Sequence, residues 1–337
     1  MRATIKDVSA AAGVSTKTVS RVLNGERYVS EALRLRVEMA VAQLDFQPSA
    51  VARILAGKRS NQIALIYDNH SPHYIHQIQT GIWERCLEQG VRLLAQPSDA
   101  GSPNLAREVG ELIDQTRVDG VILSSPVTDA SAALEALDKL GAPYVRISPG
   151  TDHGRSSSVS MDDAKAADDM TSHLIALGHR RIGFIFGHPN HTASDLRHFG
   201  YRRALDRAGL SYEPKYVRPG LFDFASGEAA ADTLLDLPVP PTAIFASNDD
   251  MAAGVLTVAH RRGIAIPQDL SVAGFDDTAL ASQLWPPLTT VRQPTRQLAY
   301  AAASLLFDGD GVPVHRRLPH ELVLRSSTAA PRSRSEA

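Results

Sequence analysis

A single cysteine, Cys86, stands in 337 residues, so no disulfide can form within one chain. That points to a reducing compartment, the cytoplasm, rather than to a secreted scaffold. On its helical pattern Cys86 reads as a small buried hydrophobe, not a nucleophile. No apolar run approaches the roughly 20 residues of a membrane span. Met1-Arg2-Ala3-Thr4 opens straight into an amphipathic pattern with no secretory core, so neither membrane nor export is expected. Enzyme signatures are missing too. There is no Gly-x-Ser-x-Gly, no phosphate-binding Gly-x-x-x-x-Gly-Lys-Ser/Thr, and no Gly-x-Gly-x-x-Gly after the first strand. No enzymatic activity and no cofactor are expected.

Net charge is also scarce, at −2, but it is unevenly laid out. The first 59 residues hold ten Lys/Arg against five Asp/Glu, leaving 25 against 32 for the remainder. A basic head on an acidic body assigns a polyanionic partner to the head alone. At this length the chain suits two or three compact units.

The head contains Ile5-Lys6-Asp7-Val8-Ser9-Ala10-Ala11-Ala12, a short helix, then Gly13 as a turn. Ser15 is placed to cap a second helix, because its hydroxyl can take an orphan amide at the helix start. Val19, Val22 and Leu23 recur at helical spacing, while Thr16, Lys17, Ser20 and Arg21 are left on the opposite face. Two short helices joined by a tight turn, the second rich in donors, form a helix-turn-helix pattern. Ser30-Glu31 opens a third helix carrying Leu33, Val37, Ala40, Val41 and Leu44, and Phe46 closes its apolar face. Pro48 stops the pattern. The segment 49–56 is a good helix former too short to be stable alone.

Thr4-Ile5-Lys6-Asp7-Val8, Gly13-Val14-Ser15, Thr18-Val19-Ser20-Arg21-Val22-Leu23-Asn24-Gly25, Val29-Ser30 and Pro48-Ser49-Ala50-Val51-Ala52-Arg53 together resemble the lactose-repressor (LacI/GalR) family of bacterial transcription regulators. The resemblance runs over about residues 4–328. It implies a homodimer that sets two recognition helices into a near-palindromic operator in double-stranded DNA, with Thr4, Ser15, Thr16, Lys17, Thr18, Ser20, Arg21 and Asn24 at the DNA. Thr16, Lys17 and Arg21 match the base-reading positions. Ser49, Ala52, Arg53 and Leu55 match the hinge helix, with Leu55 at the place of a leucine wedged between minor-groove base steps. From spacing alone, Leu55 reads equally well as a core leucine.

The body alternates strand and helix. Strands are expected at 63–67, 91–95, 118–124 and 144–147, with helices reaching Gly90 and covering 105–115 and 130–140. The pattern restarts at 181–186. Gly81 to Gly90 and Gly200 to Gly209 share a spacing of nine, so the body reads as two copies of one α/β unit, with a cleft at the carboxyl ends of its strands. The expected fold class is thus α/β: a three-helix head, a hinge helix, and a two-lobed periplasmic-binding-protein-like body of two parallel-sheet subdomains. The expected divisions are 1–48 for the head, 49–60 for the hinge and linker, and 61–328 for the effector-binding and dimerisation body. Within the body, one subdomain takes about 61–161 and 292–321, the other about 162–291 and 322–328. A disordered tail is expected at 329–337.

At or near the strand ends stand Asp68, Ser124, Ser148, Arg197, Phe222, Asn248, Asp276 and Gln293, which match the family's effector-contact positions, with Tyr74 in the first loop. Carboxylate, amide and guanidinium groups suit sugar hydroxyls, and an aromatic ring suits the C–H face; each polar group could equally be a cap or turn residue. The loop Asp68-Asn69-His70-Ser71-Pro72-His73-Tyr74 departs from the family's usual Asn-Pro-aromatic wording. His70, His73, His76, His188 and His191 invite a metal reading, but no His-Glu-x-x-His pattern or Cys cluster accompanies them. Asp276-Asp277 are adjacent and should point apart, which argues against paired acid/base work. The expected function is a repressor of carbohydrate-utilisation genes controlled by a small sugar in the cleft; the alternative is a regulator answering to a nucleobase or other small metabolite. A solute-binding protein would need an export signal. Without leucine heptads after Leu324, a dimer rather than a tetramer is expected.

Overall fold

The computed structural model describes residues 3–23, 28–46, 60–69 and 71–332. The hinge positions Ser49, Ala52, Arg53 and Leu55, together with Asn24 and His70, lie outside the described residues. Two compact units divide at Asn61 and Gln62.

The first unit holds α1 (Ile5–Ala12), α2 (Thr16–Leu23) and α3 (Glu31–Gln43). Asp7 secures the start of α1, its carboxylate accepting the Thr4 amide and hydroxyl, both at 2.7 Å. Gly13 ends α1 at φ +60°, where a side chain is disfavoured, and a Cβ there would also press on Arg36. Arg36 of α3 donates to the Ala12 carbonyl at 2.6 Å, fixing the turn between α1 and α2. Ser15 caps α2 as its position suggested, its hydroxyl accepting the Thr18 amide at 3.1 Å. Ser30 precedes α3 but makes no side-chain capping bond. Val8, Ala12, Val19, Val22, Val37, Ala40 and Phe46 form one small core. Leu23, expected on that face, is exposed at the end of α2.

In the second unit, β1 (Gln62–Tyr67), β2 (Arg92–Pro97), β3 (Val121–Leu123), β4 (Tyr144–Ile147), β5 (Ser158–Ser160) and β11 (His315–Arg317) make one sheet. Its order is β11-β5-β4-β3-β1-β2, parallel throughout. A second sheet joins β6 (Ile182–Ile185), β7 (Val217–Arg218), β8 (Ala243–Ala246), β9 (Ser271–Asp276), β10 (Thr289–Arg292) and β12 (Glu321–Val323). Its order is β12-β10-β9-β8-β6-β7, with only β12 antiparallel. The inner strands β1, β3, β6 and β8 are runs of buried apolar residues because helices cover both faces. Along β1, Ile63 and Leu65 pack under α4 (Pro72–Gln89) and α12 (Thr295–Asp308). Ala64 and Ile66 pack under α5 (Leu105–Thr116) and α6 (Ser131–Leu140). In the second sheet, α7 (Asp163–Ala176) and α8 (Thr192–Arg207) cover one face, and α9 (Phe224–Leu235) and α10 (Asp249–Arg261) the other. A short α11 (Ala279–Gln283) follows β9. The chain passes between the two sheets three times, after β5, after β10 and between β11 and β12.

The repeated glycine pairs do the same work in each lobe. A Cβ at Gly81 of α4 would overlap the Arg296 carbonyl of α12, and one at Gly200 of α8 would overlap the Ala164 carbonyl of α7. Gly90 and Gly209 each leave their helix at positive φ, +63° and +68°. Cys86 is buried in the first lobe's core, where burial pushes its thiol up to about 11. The expected tail begins too early: Ala329 accepts at 2.9 Å from His179, its amide donates to Ser271 at 3.0 Å, and Arg332 pairs with Asp269. Residues 329–332 are therefore fastened to the second lobe, because buried polar groups of β9 and of the turn after α7 need those partners.

Candidate functional site

In the first unit, Thr16, Lys17 and Arg21 are exposed along α2, opposite the buried Val19 and Val22, so the donor-rich face expected from the sequence is displayed. Ser15 and Thr18 are tied to each other, their hydroxyls 3.0 Å apart, and the Thr4 hydroxyl is held by Asp7; these residues shape the helix starts. Ser20 is half-buried on the same helix.

In the second unit, a cleft at the carboxyl ends of the strands gathers residues from both sheets. It encloses roughly 500 Å³, its open mouth included. Tyr74, Ser148, Arg197, Phe222, Asn248, Asp276 and Gln293 all line it. Asp68 and Ser124 do not. The Asp68 carboxylate turns back to accept the Ala100 amide at 2.9 Å, which makes it a loop residue. Ser124 faces the interior, fully buried, and the next residue, Ser125, takes the place in the cleft.

Arg197 organises the second lobe's side. Its Nε donates to Asp163 Oδ1 at 2.9 Å and its Nη1 to the Ser247 carbonyl at 2.5 Å. Asp276 Oδ1 lies 3.9 Å from that Nη1, and the guanidinium sits 3.6 Å from the Phe275 ring centre. Asp276 accepts from Gln293 Nε2 at 2.5 Å. Burial pushes the Asp276 carboxyl up to about 7, against the pull of Arg197 and Gln293. Directly behind it, Asp249 is fully buried, accepting from the Thr278 amide at 2.7 Å and the Thr290 hydroxyl at 2.6 Å. Burial, then the charge of Asp276, holds its carboxyl well above the usual range. Asn248 is both a cap and a cleft residue: Oδ1 accepts the Met251 amide at 2.9 Å, and Nδ2 donates to the Phe222 carbonyl at 2.8 Å. Asp277 turns away from the cleft to Arg292 at 2.7 Å and Arg325 at 2.6 Å, so the adjacent carboxylates do point apart.

Three cleft residues adopt positive φ, namely Ser148 (+50°), Phe222 (+62°) and Asp276 (+116°). Such backbone costs on the order of 1–3 kcal/mol each unless its surroundings enforce it, and it concentrates where ligands bind. The Phe222 ring lies against the Gly187 backbone, where a Cβ would collide with it. Burial also pushes the Tyr74 phenol up.

Sequence reasoning missed Asn69, Ser71, Ser125, Asp163 and Ala193 as cleft residues, and weighed His191 only for metal. The His191 ring stands edge-on to Phe222 at 5.4 Å, with Nδ1 3.4 Å from the Ser125 hydroxyl. His73 and His76 are exposed on α4. Among the described residues, no three His, Cys, Asp or Glu side chains are grouped to hold a metal ion, and no helix is long and apolar enough to cross a membrane.

A helix-turn-helix unit, and a two-sheet body with a polar cleft at its strand ends, together define a DNA-binding regulator with a small-molecule effector. Residues 4–49 match the family described as bacterial regulatory proteins, lacI family, and residues 171–328 the periplasmic binding protein-like domain. The ribose operon repressor of Escherichia coli (strain K12) is 36% identical over 304 residues, covering 90% of this chain and 92% of that protein. A solved lac repressor dimer, bound to operator and the anti-inducer ONPF, aligns with a TM-score of 0.86 at 30% identity, over 98% of this chain and all of that one. The transcriptional regulator CelR–cellobiose complex aligns with a TM-score of 0.74 at 31% identity, over 97% of this chain and all of that one. The chain belongs to the lacI family of bacterial regulatory proteins. Its relatives are repressors, and it is a regulator rather than an enzyme.

Proposed function

We propose that this protein represses carbohydrate-utilisation genes, binding a near-palindromic operator as a homodimer and changing its operator affinity when a small sugar enters the cleft. The observation that carries the sugar reading is the set of acceptors around Arg197: two carboxylates, Asp163 and Asp276, face a cavity also lined by Asn248, Gln293 and Phe222. Ionised carboxylates accept hydrogen bonds from hydroxyls, and an aromatic ring covers a sugar's C–H face. Ribose in the name of one relative and cellobiose in the complex of another support the same class.

In this reading residues 1–48 hold the DNA, 49–60 form the hinge and 61–328 receive the effector and the partner subunit. Thr16, Lys17 and Arg21 read bases in the major groove, where a good bidentate contact is worth about 1–3 kcal/mol of discrimination. Leu55 enters the minor groove, and Ser49, Ala52 and Arg53 accompany it along the backbone.

The test is an operator selected from random duplexes, followed by fluorescence anisotropy with a panel of neutral pentoses, hexoses, disaccharides and nucleosides. The selected site is expected to be a near-palindrome, and at least one sugar should shift its affinity by about tenfold or more, within the usual range of allosteric coupling. An operator affinity indifferent to every member of the panel would sink the proposal, and a response to nucleosides alone would replace the sugar with the alternative class.

A further inference from the structure

The charge of the cleft comes from one side. The first lobe contributes neutral groups such as Asn69, Ser71, Ser125 and Ser148, whereas the second contributes Asp163, Asp276 and Arg197. Arg197 is the one Lys or Arg among the described lining residues, so any anion entering the cleft would look to it. Two of its five N–H donors are already committed, and at two different nitrogens. Asp163 holds Nε, the Ser247 carbonyl holds Nη1, and the ring of Phe275 covers one face.

Phosphate and carboxylate are gripped by two parallel N–H bonds from one edge of a guanidinium. Here the Nε–Nη2 edge has lost its Nε donor to Asp163, and the other edge is obstructed at Nη1, which gives one N–H to the Ser247 carbonyl and has Asp276 Oδ1 3.9 Å away. An incoming anion would also lie beside two carboxylates in a site where charges interact more strongly than in water. Its desolvation would go unmatched. A hydroxyl meets no such barrier, since it donates to lone pairs that Arg197 and Gln293 leave open.

We propose that Asp163 is a specificity-determining residue: by occupying Arg197 it keeps phosphorylated and carboxylated ligands out of the cleft and reserves it for neutral polyhydroxylated ones. The position is built for a fixed negative charge. Asp163 is the first residue of α7, after Asp162 has capped the helix by accepting the Lys165 amide at 2.9 Å. The free amides of a helix start favour an anion there. Asp163 and Arg197 are both about 95% buried, so neither is easily displaced.

The inference rests on the cleft being the effector site, but it fails by a different measurement. Calorimetric titration of the full chain with inorganic phosphate, D-ribose 5-phosphate and D-glucose 6-phosphate should give no saturable heat up to about 10 mM. Asp163→Ala removes both the charge and the oxygen that holds Arg197 Nε, which an asparagine would retain. That variant should bind inorganic phosphate at least about tenfold more tightly than the unaltered protein's limit, and Arg197→Lys added to it should abolish the gain. Saturable binding of any of the three anions by the unaltered protein, lost in Arg197→Lys, overturns the proposal. So does an Asp163→Ala protein of native circular dichroism that still ignores phosphate. If that variant does not fold, the titration of the unaltered protein with the three anions decides. Loss of the proposed function would instead show as an operator affinity that no neutral ligand alters.

Discussion

Asp276 holds the most sensitive chemistry of the cleft in a backbone conformation that L-residues seldom adopt, φ +116°. Burial raises its carboxyl to about 7, with the charges of Asp250 and Asp163 adding to the push. The folded protein thus favours the protonated acid, a stabilisation present below pH about 4 and lost as the pH rises through 7. A hydroxyl that must donate to the carboxylate needs the opposite form. Effector affinity should therefore improve up to about tenfold per pH unit below 7 and level off above it. Asp276→Asn should weaken binding and flatten that profile in calorimetry at several pH values. Most of the cleft's second-lobe groups were legible in the sequence, because Asn248, Asp276 and Gln293 stand at or just beyond strand ends. Asp68 and Ser124 were misplaced by the pleat: neighbouring residues leaving a strand face opposite ways, so a shift of one position exchanges Ser124 for Ser125. Asp163 left no local signal beyond its place in the first turn of a helix, since its role depends on Arg197, 34 residues further on.

Helix pairs in the two lobes explain why the glycine spacing was the clearest sign of an internal repeat. Gly200 lets α8 touch the α7 backbone, and Gly200→Ala should cost about 1–3 kcal/mol through forced separation. Gly209→Ala meets open space but keeps φ +68°, so its smaller penalty, about 1 kcal/mol, should be conformational. Urea midpoints of the two variants test that ranking. The same pair of helices is clamped by Asp168 of α7, which accepts from Arg203 at 2.6 Å and from Arg207 at 2.9 Å. Arg207 foremost, with Arg203 and Ser172, holds the Asp168 carboxyl down at about 2. Its stabilisation is thus complete above pH about 4 and lost as the pH falls towards 2. The loss should be about 1–2 kcal/mol once solvent screening of the exposed arginines is allowed for. Asp168→Asn should lower stability at pH 7 and remove that part of the acid sensitivity. None of these partners was readable from sequence, because the bonds join residues 35 and 39 apart.

For the whole molecule, the uneven charge and the strand-helix alternation were the sequence features that survived best, since both are summed over many residues and tolerate local error. Their functional consequence is measurable in salt. Arg21→Ala should relax base preference at one position of the operator. Arg53→Ala, on the proposal that Arg53 meets a phosphate, should weaken all sequences alike and lower the salt slope by about one. Equal losses with unchanged slopes in both variants would contradict the assignment. Linkage adds a symmetric demand: whatever factor the effector imposes on operator affinity, the operator must impose on effector affinity.

The three passages of the chain between the sheets set an order of events at the ribosome. The three-helix head uses only the first 46 residues, whereas each sheet waits for an edge strand near the end, β11 at 315–317 and β12 at 321–323. At about 5–20 residues per second of synthesis, the gap is roughly 15–55 seconds. During that interval a nascent chain presents a finished head on an unfinished controller. A message cut short before β11 would yield a product carrying that head with neither sheet complete.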